Sequence, residues 1–179
     1  MQKRSLSDPT HLSPIDKKSN LFQVIVETPR NSRNKYAFDP DQQIFTLRKV
    51  LPAGMTFPYD FGFLPRTLAG DGDPIDVLVL MDEPAVPGCL ICSRLIGVIE
   101  GEQIEGKKRI RNDRLLAVAD ATHLYANVRK PEDLPQRFLN ELEAFFVNYH
   151  HLEGKEYKLL GSKGSAAALA FVKKAEKAA

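Results

Sequence analysis

Asp71-Gly-Asp-Pro-Ile-Asp-Val-Leu-Val-Leu-Met81 sets three carboxylates within six residues directly ahead of an apolar, β-rich run. Gly72 and Pro74 make the first half a turn, and Val77 to Met81 reads as a buried strand. Outward from it, Leu21 to Glu27, Lys35 to Phe38, Ile44 to Val50, Cys89 to Glu100 and Ile110 to Ala119 read as further short strands punctuated by Pro, Gly and Asp. About six strands in the first 120 residues favour a closed or partly open antiparallel barrel over alternating βαβ units. Helical periodicity begins only at Leu134, Phe138, Leu142, Phe145 and Tyr149, a run with Pro135 near its start and Gly154 at its end. A second helix is expected from Ser165, an N-cap type, to Lys174, where basic residues suit a helix C-terminus. Strands first and helices last predict an α+β domain.

The 179 residues carry a formal charge of +2. Residues 1–20 hold Lys3, Arg4, Lys17 and Lys18 against Asp8 and Asp16, which leaves 21 basic and 21 acidic residues elsewhere. These first 20 residues read as a flexible tail and 21–179 as one domain. A body without excess positive charge disfavours an OB-type nucleic-acid module. No apolar stretch reaches spanning length and no apolar core follows the charged start, so a cytoplasmic protein that meets no membrane is the expectation. Cys89 and Cys92 are too few for a zinc site and read as two strand cysteines in a reducing compartment.

Crowded carboxylates raise one another's pKa, and a hard divalent cation with oxygen ligands is the usual compensation. Asp71 and Asp73 share a face of an extended chain, and the turn at Pro74 brings Asp76 towards them. The same stretch also reads as a solvated acidic turn. Lys35, Arg48, Tyr149 and His150 are suited to an anion, as a phosphate substrate beside a metal requires. An EF-hand fails, because Asp76 stands at its glycine position and Ile75 at a ligand position. Walker, Gly-x-Gly-x-x-Gly, Gly-x-Ser-x-Gly and His-Glu-x-x-His patterns are absent from the sequence.

Asp71 to Val77 resembles the aspartate-rich motif of the soluble (family I) inorganic pyrophosphatases. The resemblance runs from about Leu21 to Gly161 and includes Val26-Glu-Thr-Pro29, Lys35-Tyr36, Phe57-Pro-Tyr-Asp-Phe-Gly-Phe63, Gly88 to Val98 and Phe145-Phe-Val-Asn-Tyr-His150. It implies a five-stranded OB-like antiparallel barrel with flanking C-terminal helices, and hydrolysis of pyrophosphate to two phosphates. It also implies dependence on Mg²⁺, with Mn²⁺ as a substitute, and a cytoplasmic homohexamer. Carried over by position, Asp71, Asp76 and Asp73 resemble metal ligands, and Asp73 also the carboxylate that takes the proton of the attacking water. Glu27 and Asp113 fall at further acidic positions of the metal shell. Lys35, Arg48, Tyr149, Arg114 and His150 fall at substrate-binding positions. Departures cluster in the same site: Ala37 stands for a Glu, Phe61 for a Tyr and His150 for a Lys. Asn112 or Asp113 meets one metal-binding aspartate, Arg114 a lysine, and the other aspartate falls near Gln103 to Glu105. These departures carry a second reading, a degenerate homologue that binds phosphate or metal with little or no hydrolysis.

Overall fold

A computed structural model describes residues 8–176. Nine strands and two α-helices follow in the order β1 (Phe22–Thr28), β2 (Asn34–Asp39), β3 (Ile44–Val50), β4 (Asp60–Leu64), β5 (Ile75–Leu80), β6 (Leu90–Glu105), β7 (Lys108–Arg111), β8 (Arg114–Ala119), α1 (Gln136–His151), β9 (Glu156–Gly164) and α2 (Ser165–Glu176). Strands β1, β4, β5, β8 and β6 pair in that order, and β6 pairs back to β1, so five strands form a closed ring. The α+β, OB-like expectation is met, with one correction: β5 and β8 pair in parallel, Val77 opposite Leu115 and Leu80 opposite Val118. The chain leaves β5, makes the long β6 and short β7, and returns beside β5 in the same direction. The distal half of β6 also pairs with β7 and β9, while β2 and β3 form a separate hairpin.

Strands β5 and β8 bury both faces, which is why they read as unbroken apolar runs. Val77, Val79, Leu115 and Ala117 join a cluster closed by Ala168, Val172 and Ala175 of α2. Leu78, Leu80, Leu116 and Val118 join another, covered by Phe138, Leu142, Phe146 and Tyr149 of α1. That helix buries Phe146 and leaves Phe145, the residue expected from periodicity, only partly covered.

Two strands are absent from the sequence reading. In β4 all five residues are buried, so there is no alternation to see, and Asp60 and Gly62 read as breakers. Both are required: Asp60 accepts hydrogen bonds from the amides of Arg30 (3.3 Å) and Ala85 (3.1 Å), and a Cβ on Gly62 would stand 1.9 Å from the Ile25 carbonyl oxygen. Strand β9 is rich in Gly and Lys and gains its order from β6. The expected strand over Ile110 to Ala119 is broken at Asn112 and Asp113 into β7 and β8.

Residues 1–7 of the tail expected over 1–20 lie outside the described residues. Residues 8–20 are not tail-like. Asp8 caps a 3₁₀ turn over Pro9–His11, the Arg66 amide donates to the Thr10 carbonyl (3.0 Å), the Gln23 amide donates to Pro14 (2.9 Å), and Ile15 bridges to Phe22. Ile15 packs on the core, and this apolar contact is what ties the segment down.

Candidate active site

Two adjoining chambers open where the β2–β3 hairpin faces β5, α1 and the turn before β5, and they share Lys35, Phe61, Asp73 and Asp76. The outer one, of about 370 Å³, is lined further by Thr10, Glu27, Ala37, Phe38, Arg48 and Phe63. The inner one, of about 320 Å³, is the more polar and carries Asp71, Gln103, Asn112, Arg114, Tyr149 and Lys155.

The acidic turn is shaped by local bonds. Gly72 adopts φ +95°, the Asp73 amide donates to the Asp71 carboxylate (3.3 Å), and the Ala69 amide donates to the Asp73 carbonyl (2.7 Å). Buried Thr67 donates to the Leu64 carbonyl (2.6 Å) and accepts from the Ile75 amide (3.0 Å), anchoring the turn where β5 begins. Asp71, Asp73 and Asp76 therefore converge on one cavity, as their spacing suggests. Burial first, and then the charges of Asp71 and Asp73, push the Asp76 carboxyl up to about 6 against the pull of Arg114 and Lys35. Burial first, and then the charge of Asp73, raise Asp71 against the pull of the Asp73 amide and Arg114. Glu27 sits at a bulge that ends the regular pairing of β1, and accepts from the Phe38 amide (2.8 Å). Burial, with Asp76 and Asp73 nearby, pushes it up to about 7.

Opposite the acids stand the cations. Burial opposes the charge of Lys35, but Tyr149, Asp76 and Glu27 hold its pKa above the ordinary lysine value. Arg114 is 3% exposed. It donates to the Asn112 carbonyl (3.2 Å), to the Tyr157 hydroxyl (2.9 Å) and to His150 Nε2 (3.1 Å), and its Nε lies 3.7 Å from Asp76. Because arginine only donates, His150 Nε2 is the acceptor and the ring is neutral. Its ring stacks on Tyr157 at 4.7 Å between centroids. Arg114 Nε, the Tyr149 hydroxyl and His150 Nδ1 are buried without a hydrogen-bond partner.

One sequence-derived assignment is corrected. Asp113 is outside both chambers: its carboxylate accepts from the Gly101 amide (3.0 Å) and from Arg111 (2.8 Å). Neighbouring side chains on an extended chain point oppositely, so Asn112 enters the inner chamber instead and donates to Gln103 (3.3 Å). Arg48 reaches only the outer chamber, 48% exposed and 3.4 Å from Asp39. Beside it on β3, Lys49 stands directly opposite Lys35, with Nζ 3.8 Å from the Tyr149 ring centroid and paired with Glu153. Burial, then the charges of Lys35 and Lys155, hold the Lys49 ammonium below its ordinary value despite the opposing pull of Tyr149. Lys155, on the turn after α1, lines the inner chamber and pairs with Glu105 at 3.0 Å. Sequence reasoning missed Lys49, Lys155 and Glu153; only the pairing register and the helix end place them.

A family model of inorganic pyrophosphatases matches residues 24–179. The chain belongs to the inorganic pyrophosphatase family. It is 41% identical over 164 residues to an inorganic pyrophosphatase of Synechocystis sp., spanning 92% of this chain and 95% of that relative. It is 35% identical over 153 residues to one of Methanosarcina acetivorans, spanning 86% and 89%. The fold superposes on the crystal structure of inorganic pyrophosphatase from Thermus thermophilus with a TM-score of 0.87, at 32% identity and over 96% and 98% of the two chains. Enzymes of this family depend on metal ions. Among the described residues no three carboxylate, His or Cys side chains converge closely enough to enclose an ion by themselves. The donor set fits a small hard cation nonetheless, since such an ion keeps several waters and takes one or two carboxylates plus substrate oxygens. The raised Asp71 and Asp76 are carboxylates whose charge a cation would relieve. No helix among the described residues is long and apolar enough to cross a membrane.

Proposed function

We propose that this chain hydrolyses inorganic pyrophosphate to two phosphates with Asp73 as general base. The observation that carries the reading is one cleft in which three aspartates face Lys35, Arg114, Tyr149 and Lys155. Asp71 and Asp76, with Asp73 beside them, would hold Mg²⁺, or Mn²⁺ in its place, and Glu27 completes the acid side of the cleft. When bound, the ions supply charge neutralisation and a more acidic water. Asp73 would be the carboxylate placed to accept the proton of the attacking water. Lys35, held protonated, neutralises the phosphoryl oxygens between the chambers, Arg114 and Tyr149 receive the inner phosphate with a buried Nε and hydroxyl that lack a hydrogen-bond partner, and Lys155 adds its charge.

His150 supplies no charge, but it orients Arg114, so cationic donors are still in place around the inner phosphate. No observation favours the degenerate reading. A homohexamer would cover the exposed Ile44, Leu47 and Val50 of β3, which are 57%, 54% and 55% exposed in the single chain. A cytoplasmic location suits the two free cysteines.

Asp73→Asn is the test. Its phosphate release from pyrophosphate should drop by about 10²–10⁴-fold, with the thermal unfolding midpoint preserved. Turnover near the wild-type value would remove Asp73 from the role of base.

A further inference from the structure

We propose that the outer chamber binds the organic group of a diphosphate ester, so that the chain also cleaves R–O–PO₂–O–PO₃, where R is a compact apolar or aromatic group. The inference rests on the proposed function and extends it. Asp73 and Lys35 are shared by both chambers, so the scissile phosphoanhydride lies at their junction with one phosphoryl group on either side.

The two sides are unlike. On the inner side a terminal phosphoryl meets Arg114 Nε and the Tyr149 hydroxyl, both buried and unpartnered, together with Lys155. Those donors suit a group with two negative charges. The outer side is somewhat larger, about 370 Å³ against about 320 Å³, and its walls include Ala37, Phe38, Phe63, Pro40 and Pro74. Beyond the shared Lys35 its cation is Arg48, half in solvent and drawn to Asp39. Glu27 stands in the same wall, its carboxylate already engaged by the Phe38 amide. A bare phosphoryl there sets its second charge among fewer cations than on the inner side and beside apolar surface. Esterification removes that charge and places R against Phe38, Phe61 and Phe63.

The reaction balances without a further reactant. The water oxygen bonds to the inner phosphorus, and the bond from that phosphorus to the bridging oxygen breaks. The bridging oxygen leaves with R–O–PO₃, and the water's proton passes to Asp73 and on to solvent. The products are R–O–PO₃ and phosphate.

The purified chain is assayed with Mg²⁺ on phenyl diphosphate, with pyrophosphate and phenyl phosphate in parallel and products resolved by phosphorus NMR. Expected are phenyl phosphate and phosphate in equal amounts from phenyl diphosphate, and no cleavage of phenyl phosphate itself. Phenyl phosphate should also inhibit pyrophosphate hydrolysis competitively, about tenfold or more tighter than inorganic phosphate does. Ala37→Leu, which fills the outer chamber, should lower kcat/KM for phenyl diphosphate about tenfold more than it lowers that for pyrophosphate. Pyrophosphate turnover without phenyl diphosphate cleavage overturns the inference and leaves the proposed function standing; loss of both substrates rejects the proposed function as well. Equal effects of Ala37→Leu on the two substrates, or phenyl phosphate inhibition no tighter than that of phosphate, contradict the placement of R.

Discussion

Arg48 and Lys49 are adjacent on β3 and leave it on opposite faces, Arg48 to line the outer chamber and Lys49 to pack on Tyr149 and pair with Glu153. The pairing of β2 with β3 sets Lys49 opposite Lys35, and the register then shifts before Tyr36. That shift is invisible in a single sequence, and for this reason Lys49, the less exposed of the two, goes unread as a cation beside Lys35. Lys49→Met should lower kcat/KM for pyrophosphate by about 10–100-fold, with Arg48→Met costing less than about threefold and Lys49→Arg restoring most of the loss. Steady-state kinetics of the three variants decide it, and a larger loss in Arg48→Met would reverse the assignment. Asp71, Asp73 and Asp76 are legible because their spacing alone brings them together, whereas Asp113 misleads because a strand break one residue away decides which side chain enters.

His150 is a second case in which identity and role part. Burial above all, with Arg114 and Lys155 beside it, pushes its pKa from 6.5 down to about 3. Between those values the unfolded chain binds a proton that the folded chain refuses, so stability rises with pH through this window and is lost as pH falls from about 6.5 towards 3. One proton limits the slope to about 1.4 kcal/mol per pH unit. His150→Gln should flatten that slope in urea unfolding between pH 4 and 7. An unchanged slope would show that His150 is not the group responsible.

At the level of elements, β6 positions much of the inner chamber without contributing a charge to it. Its bulge at Glu100 and Gly101 admits the Tyr157 hydroxyl from β9, and a Cβ on Gly101 would stand 1.9 Å from that oxygen. Tyr157 in turn accepts from Arg114 and stacks on His150, so the absence of one methyl group carries through to the position of Arg114. Gly101→Ala should cost about 1–3 kcal/mol of stability by overpacking and lower kcat/KM in step. Gly106→Ala, at φ +60° with nothing within 4 Å, should strain the β6–β7 turn and leave turnover unchanged. Differential scanning calorimetry with parallel kinetics separates the two, and normal turnover in Gly101→Ala would break the proposed chain of contacts. Strands β1, β5, β6 and α1 were readable because burial imposes a period or a continuous apolar run. Strand β4 was not, because Asp60 and Gly62 satisfy tertiary demands that mimic a turn.

Across the whole molecule, the closed ring explains why the site can be built from distant segments. Residues on β1, β2, β5, β8 and α1, together with the turn ahead of β5, meet at one cleft only because β6 returns to β1 and α1 lies across the ring. The order of strands and helices announces the α+β class, but ring closure and the parallel β5–β8 pair depend on contacts far apart in the chain. The same long-range assembly brings Thr10, from a segment expected to be loose, to the outer chamber.

A cleft with amides at Gln103 and Asn112, and with an uncharged His150, still supports metal-dependent hydrolysis. The direct measurement is phosphate release from pyrophosphate by the purified wild-type chain as Mg²⁺ is titrated from none, with cooperative unfolding recorded on the same preparation. Release should be absent without the metal, rise with it to saturation and yield two phosphates per pyrophosphate. A folded protein that gains thermal stability from Mg²⁺ and pyrophosphate yet releases no phosphate would contradict it.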